Sequence, residues 1–330
     1  MRYCAFFTLV VLCTFYPVQA LDTILVIKPD VINTPAQPTF EKAIRGLKEG
    51  LEEECQIFDM VLPREPDLKM INDYIGVVNP DMIVLMDTKA INAYKTWIYK
   101  FPELAPFPPT ILMMSPFVES ELDQITNSMA IEFEVQGVTG LRAFRDLFTK
   151  DISKVGVIHR SEVTDFIHRQ KELCKLEKIE LVSVNIDKPG KKITSSRVRS
   201  TLRRLFRKEK VDAIWILNDN VLLTRDILSK AWIPTLNRYE VPTIVGLDRF
   251  VIEDQFSGFG QFGVVPDPFE LGTLAAQTIL DVRDQDWKIK DERLLPPISV
   301  FKYLNKRKLF SNQQASLNQN SLLQVDIVIH

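Results

Sequence analysis

The pattern of hydrophobic positions occurs twice along the chain. The apolar runs of the first copy lie at residues 23–30, 81–88 and 110–115, and those of the second copy at residues 154–161, 212–219 and 242–249. In both copies the second run starts about 58 residues after the first, and the third about 30 residues after the second. Such continuously apolar runs are typical of parallel strands that helices cover on both faces. The repeat predicts two similar α/β halves.

Helical spacing of apolar residues separates these strands. Helices are predicted at residues 40–54, 68–77, 90–101, 162–175, 196–208 and 268–282, and further strands at residues 57–62, 180–186 and 294–303. We interpret residues 120–138 as a crossover, residues 311–321 as a flexible surface loop, and residues 322–329 as a run that docks back onto the fold. Strands that alternate with helices form βαβ units. The predicted fold class is therefore α/β, with two Rossmann-like lobes, parallel sheets and a cleft between the lobes.

Length and charge narrow the function classes. The 330 residues allow two domains of ordinary size. The formal net charge of -2 argues against nucleic acid as the main partner, because phosphate binding needs a basic surface. Six basic residues on the helix predicted at 196–208 lack interleaved aromatic residues, so we interpret them as a solvated face.

The first 20 residues have the pattern of a signal peptide. Arg2 is a minimal positive region, an apolar stretch follows, and Val18-Gln19-Ala20 fits the small-residue rule for cleavage. A retained anchor, or a lipoprotein that uses Cys13, stays an alternative. The leader predicts export to the periplasm, where disulfides form. Cys55 and Cys174 would then remain, and we expect two buried free thiols and no metal site.

Polar residues end the predicted strands. Ligands bind at the carboxyl ends of parallel strands. The candidate ligand-binding residues at these ends are Thr88, Ser115, His159, Ser161, Asn218, Asp219 and Asp248. A hydroxyl beside a helix N-terminus suits a carboxylate, and Asp219 is expected to pair with a ligand amine. Ordinary helix capping is the alternative for each of them.

Two other features of the sequence bear on catalysis and on nucleotide binding. His159 ends a strand, but no nucleophile or partner carboxylate accompanies it, so we predict no catalytic residue and no enzyme activity. The glycine-rich residues 258–263 follow no predicted strand and open no helix, so they fail as a dinucleotide motif. Phe256, Phe259 and Phe262 there form either an aromatic wall for a flat ligand or part of the core.

The order of several segments resembles a known family. These segments are KVGVIHR, KELCKLEKIELVSV, VDAIWILNDN, VPTIVGLDRFVIE and FELGTLAAQTIL, together with QGVTG at residues 136–140. They look like the substrate-binding proteins of ABC transporters, in the branch that includes tryptophan- and tyrosine-binding members. The resemblance implies the type I periplasmic-binding-protein fold, with three crossovers between the lobes. The implied lobes are residues 21–136 plus about 265–303, and residues 137–264 plus about 304–330.

The resemblance also implies a function. It implies ligand contacts at Thr88, Ser115, Asn218, Asp219 and Asp248, and it gives His159 and Ser161 as secondary candidates. We expect a monomeric solute receptor with no cofactor that binds a small molecule, such as an amino acid, closes by hinge motion and docks on a membrane permease. A sensor of the same fold that acts on a membrane kinase or chemoreceptor is the alternative. A regulator related to the lactose repressor would need a DNA-binding element where the leader lies.

Overall fold

The computed structural model describes residues 21–149, 152–252, 259–289 and 293–330, apart from the side chains of Asn312 and Ala315. The strands are, in chain order, β1 (Asp22–Pro29), β2 (Cys55–Leu62), β3 (Met82–Met86), β4 (Thr110–Met113), β5 (Ser128–Ile131), β6 (Lys154–His159), β7 (Glu180–Asn185), β8 (Ala213–Ile216), β9 (Thr243–Val245), β10 (Phe262–Pro266), β11 (Leu294–Leu295), β12 (Val300–Asn305) and β13 (Ile327–Ile329).

Helices connect most of these strands. The α-helices are α1 (Gln37–Gly50), α2 (Leu68–Val78), α3 (Thr88–Lys100), α4 (Gly137–Asp146), α5 (Thr164–Leu176), α6 (Ser195–Arg204), α7 (Arg225–Ile227), α8 (Ile233–Tyr239), α9 (Arg249–Ile252), α10 (Pro268–Arg283), α11 (Ser311–Ala315) and α12 (Gln319–Leu322). Two π-helical turns, Leu205–Glu209 and Leu228–Trp232, follow α6 and α7 directly. Short 3₁₀ turns lie at Pro102–Leu104, Val118–Gln124, Ser161–Val163 and Lys306–Lys308.

The strands form two sheets. The first has the order β11-β5-β4-β3-β1-β2, and each of its pairs is parallel. The second has the order β13-β12-β10-β9-β8-β6-β7 and is parallel apart from the antiparallel β10–β12 pair. The two sheets with their flanking helices confirm the predicted α/β class with two lobes.

Each sheet has an apolar core on both faces. Every residue of β3, β4, β8, β9 and β10 is buried. In the first lobe, α1 and α10 cover one face of the sheet, and α2 and α3 cover the other. In the second lobe, α4 and α5 cover one face, while α6, α8 and α9 cover the other. The continuous apolar runs therefore reflect burial on two sides.

Polar caps fix where the helices begin. The side chains of Asp67, Asp87, Thr194 and Asp267 accept hydrogen bonds from backbone N–H groups at the starts of α2, α3, α6 and α10. These bonds satisfy donors that the first helical turn leaves without partners. The caps on α3 and α10 matter most for the site, because both helices begin at the carboxyl end of a strand.

The prediction of a single strand at residues 294–303 is wrong. The segment forms two short strands, β11 in the first sheet and β12 in the second. Pro296 and Pro297 lie between them, and proline lacks the N–H that a ladder needs. The lobe limits stay a prediction, and the limit near residue 303 falls within β12, which pairs with β10 along Val300–Leu304.

Two other predictions differ from the structure, and one pair of alternatives is decided by it. The crossover predicted at residues 120–138 contains β5, and the loop predicted at 311–321 contains α11 and α12. Gln313 in α11 is buried and exchanges side-chain hydrogen bonds with Gln261, so polar residues pack there because their amides are satisfied. For Phe259 and Phe262, the structure confirms the core alternative over the aromatic wall, because both side chains are buried.

Other expectations are confirmed or lie outside the described residues. The terminal run docks as predicted, because β13 pairs with β12. Cys55 and Cys174 are buried free thiols, and burial raises the pKa of each to about 11. The leader at residues 1–20, together with Phe256 and Gly258, lies outside the described residues.

Candidate functional site

The carboxyl edge of the first sheet brings two predicted residues together. Thr88 is the first residue of α3, and Ser115 follows β4. Their hydroxyl oxygens, Thr88 Oγ1 and Ser115 Oγ, are 2.7 Å apart. They meet because β3 and β4 are parallel neighbours whose carboxyl ends lie at the same edge. The pair lies beside the N-terminus of a helix of 13 residues, where backbone N–H groups favour an anionic group.

The backbone at this edge is strained. Asp87 has a φ of 83°, Met114 of 58° and Phe117 of 53°. Residues other than glycine rarely adopt positive φ, and such conformations persist only where the surrounding structure imposes them. Burial raises the pKa of Asp87, while its hydrogen bond with the N–H of Lys89 lowers it. Strain of this kind is concentrated at ligand sites, which fits the position of Thr88 and Ser115.

In the second lobe, Asp219 is held by protein groups. Arg160 Nε donates to Asp219 Oδ2 at 2.7 Å, and Asp219 Oδ1 accepts from the N–H groups of Val221 and Leu222. The Asp219 side chain is fully buried, whereas Arg160 is 19% exposed and also pairs with Glu162. Asp219 therefore orients Arg160 at the end of β6, and both of its oxygens have partners within the protein.

Three other predicted residues have local roles. His159 Nδ1 lies 3.0 Å from the carbonyl oxygen of Arg160, and burial lowers the pKa of His159. Ser161 is exposed; its N–H donates to Asp187, and its hydroxyl accepts from Asn185. Asp248 follows β9, and its carboxylate accepts from the N–H of Arg249 at the start of α9. Each of these residues contacts protein groups close to it, and these contacts hold the backbone at the end of a strand.

Two glutamates lie in the crossover between β5 and α4. Glu134 Oε2 accepts from the N–H of Phe117 at 2.8 Å, whereas Glu134 Oε1 is buried and has no hydrogen-bond partner among the described residues. Burial above all, together with the negative charge of the neighbouring Glu132, raises the pKa of Glu134 to about 8, although the hydrogen bond from the N–H of Phe117 lowers it. Burial also raises the pKa of Glu132 to about 7. This crossover therefore holds two carboxyl groups that titrate near neutral pH.

An ion pair and a row of rings join the lobes beside this crossover. Arg169 on α5 contacts Glu119 of the first lobe, and its Nη2 lies 3.4 Å from Glu132 Oε1. The ring of Phe117, after β4, packs at 5.4 Å against that of Phe166 on α5. The Phe166 ring in turn lies 6.1 Å from Trp215 of β8. The carboxyl edges of the two sheets therefore face each other.

A small cavity lies where these groups meet. Its lining includes Glu134, Asn218, Trp215 and Gly246. Gly137 allows the approach of Trp215, because a Cβ at residue 137 would lie 2.6 Å from the indole ring. The buried amide of Gln170 fixes the same turn by accepting from the N–H of Gly137 at 2.7 Å. Asn218 thus shares a cavity with Glu134, a residue that the sequence prediction did not include.

The sequence contained a signal for Glu134 that the prediction missed. Glu132 and Glu134 interrupt the apolar segment 129–135, which otherwise has no charged residue. Charged residues are rarely buried without partners, so acidic residues in such a segment mark a site. Phe117, Phe166 and Trp215 were also missed, because apolar periodicity does not distinguish rings that join two lobes from rings within one core.

Comparisons with known proteins identify the fold. No protein-family model and no curated protein matches the chain. A ligand-free, open substrate-binding protein with adhesive properties from Clostridium difficile has a TM-score of 0.61 at 12% identity, covering 94% of this chain and 99% of that one. An ABC domain in complex with L-Trp from Streptococcus pneumoniae has a TM-score of 0.55 at 15% identity, covering 93% and 100%. An arabinose-binding protein from Geobacillus stearothermophilus has a TM-score of 0.53 at 13% identity, covering 86% and 96%.

These similarities bear on the fold. Among the described residues, no helix has both the length and the apolar character that a membrane crossing requires. The similar structures extend over both lobes, because each covers most of this chain and nearly all of its own. Together with the two parallel sheets and the facing strand ends, they show that the chain has the fold of the type I periplasmic substrate-binding proteins of ABC transporters.

Proposed function

We propose that this protein is an exported receptor that binds a small solute between its lobes and delivers it to the permease of an ABC transporter. The observation that carries the proposal is the facing of the two carboxyl edges, joined by the Phe117–Phe166 contact. Proteins of this architecture bind ligands at such edges and close by hinge motion. The leader predicted at residues 1–20 and the fold of the similar proteins support a periplasmic site of action.

The predicted site residues have distinct roles in this proposal. The Thr88–Ser115 hydroxyl pair and the N-terminus of α3 would bind an acceptor or anionic group of the solute. From the second lobe, Asn218 would contact the solute directly, and Asp219 would act through Arg160. Asp248, His159 and Ser161 would shape the strand ends around it. None of these roles requires a chemical step, so the proposed receptor is not an enzyme.

The test is a thermal-shift screen of the purified protein with amino acids, amines, nucleosides, sugars and small anions. A solute at about 100 times its dissociation constant adds about 2.7 kcal/mol to the free energy of unfolding. We expect one chemical class to raise Tm by several degrees. A flat response across all classes would contradict the receptor proposal.

Variants locate the binding site. Thr88→Val removes one hydroxyl of the Thr88–Ser115 pair, and we expect it to reduce the Tm shift with the solute that the screen identifies. The matched control is Thr273→Val in α10, whose hydroxyl donates within its own helix to the carbonyl of Phe269. Equal responses of the two variants would remove the Thr88 edge from the proposed site.

A further inference from the structure

Glu134 carries a carboxylate oxygen that the fold leaves without a partner. The N–H of Phe117 satisfies Oε2, but Oε1 is inaccessible to solvent and has no hydrogen-bond partner among the described residues. A buried polar group without a partner costs about 1–3 kcal/mol, and more if it is charged. Glu134 is buried in the crossover between the two lobes in spite of this cost. The unpartnered oxygen therefore points to a ligand group that binds there.

Glu134 also lines a cavity, whose size and lining limit what can bind beside it. Glu134 and Asn218 line the same cavity of about 30 Å³, with Trp215 beside them. Within the described part of the chain, the Asn218 side chain makes no hydrogen bond, so its amide oxygen is free to accept one. A volume of this size accepts a group as large as a water molecule or an ammonium, and not an aromatic ring. The rest of a ligand would therefore lie outside the cavity, in the cleft.

The local charge selects the kind of group. Glu132 acts on Glu134 as a like charge, and no lysine or arginine among the described residues pairs with Glu134. Arg169, the cation on the facing helix, is held by Glu119 and Glu132. A cation beside two carboxyl groups lowers the cost of their burial, whereas an anion raises it. The indole of Trp215 also favours a cation at its face.

We propose that Glu134 and Asn218 bind the protonated amine of the solute, so that the receptor selects organic cations with an ammonium group. This inference rests on the proposed receptor function and names its ligand class. The ammonium would donate to Glu134 Oε1 and to the amide oxygen of Asn218, beside Trp215. The assignment replaces the sequence expectation that Asp219 meets the amine, because both oxygens of Asp219 already have protein partners.

The test uses pairs of probes that differ in the amine. Phenethylamine, tryptamine, putrescine and tryptophan are titrated calorimetrically into the protein at pH 8.5, above the pKa of Glu134 of about 8 and below the pKa of the amines. Their partners without an amine are 3-phenylpropionate, indole-3-propionate and succinate. We expect binding by at least one amine and by none of the acids. Glu134→Gln should weaken amine binding at least about tenfold, because the ammonium loses its charged acceptor.

Two variants control for position and folding. Glu132→Gln changes a carboxylate two residues away whose oxygen already contacts Arg169, and we expect a loss of affinity below about threefold. Glu134→Asp keeps the charge one methylene further back and should bind with intermediate affinity. Gln is nearly isosteric with Glu, so Glu134→Gln should retain cooperative unfolding and report on binding rather than on folding.

The possible results of these binding experiments distinguish the role of Glu134, the ligand class and the receptor function. Amine binding that Glu134→Gln weakens supports the inference. Amine binding that Glu134→Gln leaves unchanged overturns the role of Glu134, while the receptor function stands. Binding of an acid or a sugar without any amine overturns the ligand class alone. If no probe binds and the wider thermal screen is also flat, both the inference and the receptor function are wrong.

Discussion

At the scale of single residues, Asp219, whose ligand contact stays a prediction, supports another residue. Its carboxylate accepts from Arg160 Nε and from two backbone N–H groups. Sequence reasoning found the position because Asp219 ends a strand. It could not find the role, because the partner Arg160 lies 59 residues away and its approach depends on the pairing of β6 with β8.

This arrangement predicts that removing the two carboxylates that contact Arg160 lowers the free energy of unfolding by different amounts. Asp219→Ala removes a fully buried acceptor and leaves Arg160 and two N–H groups without it, so the free energy of unfolding should fall by about 3 kcal/mol. Glu162→Ala is the matched control, because Glu162 is 72% exposed and its pair with Arg160 should contribute less than about 1 kcal/mol. Urea unfolding measures both. Equal losses would show that Asp219 does not hold Arg160.

The crossover carboxyls predict a dependence of stability on pH. The pKa of Glu134 is about 8 in the folded protein, above its ordinary value of 4.5, so the folded state keeps a proton that the unfolded state has lost. The free energy of unfolding should therefore fall as pH rises from about 4.5 to about 8, by at most about 1.4 kcal/mol per pH unit from this group.

Urea unfolding of the wild type and of Glu134→Gln at several pH values measures this slope. The variant should lose most of it, although Glu132, whose pKa is about 7, adds a slope of the same sign. Arg169 contacts Glu132 and is expected to keep its charge throughout this range. Parallel stability curves for the two proteins would contradict the prediction.

At the scale of elements, α1 and α10 pack unusually closely. A Cβ at Gly272 would lie 2.0 Å from the carbonyl oxygen of Ala43 and 2.7 Å from the N–H nitrogen of Leu47. Because backbone atoms cannot turn aside as side chains do, Gly272→Ala should push the helices apart and reduce the free energy of unfolding by about 1–3 kcal/mol.

Gly76→Ala supplies the control for that prediction. Gly76 lies in α2, and a Cβ there would meet nothing within 4 Å. Alanine has the higher helix propensity, so this variant should be more stable than the wild type by about 0.5–1 kcal/mol. Chemical denaturation of both variants measures these changes. A neutral or stabilising effect of Gly272→Ala would contradict the packing argument.

The elements also show what hydrophobic patterning predicts and what it does not. Strands β3, β4 and β8 were predicted because each is a buried apolar run between helices. Strands β5 and β10 were missed: Glu132 and Glu134 interrupt the apolar run that begins with β5, and β10 begins within the glycine-rich residues 258–263. Length does not explain the difference, because β4 and β8 also have four residues; a strand is missed where charged or glycine residues break the apolar pattern around it.

At the scale of the whole molecule, the repeat predicted two halves but not the contacts between them. Helix α10 follows the second half in the chain and yet packs on α1 of the first, and β12 returns to the second sheet. Such exchanges depend on contacts between distant segments, which the spacing of apolar residues does not record. The contacts that join the lobes near the crossover, Arg169 with Glu119 and Phe117 with Phe166, are of the same kind.

Arg169 therefore makes a prediction about motion between the lobes. It reaches from α5 of the second lobe to Glu119 and Glu132 of the first, so its loss should loosen the crossover without unfolding either core. In Arg169→Met, hydrogen exchange should accelerate at residues 132–137 and stay unchanged in β1 and β6, whose opening requires disruption of buried sheets. Mass spectrometry of peptides over these segments measures the difference.

Arg142→Met separates this effect from a general loss of charge. Arg142 is 59% exposed and pairs with Glu177 within the second lobe, so its loss should leave exchange at residues 132–137 as in the wild type. If the two variants behaved alike, Arg169 would not couple the lobes. If Arg169→Met alone loosened the crossover, a solute held by Glu134 would bind to the same segment that sets the angle between the lobes. Binding and closure would then act on one set of residues, 132–137, because the carboxyl groups of the crossover contact both lobes.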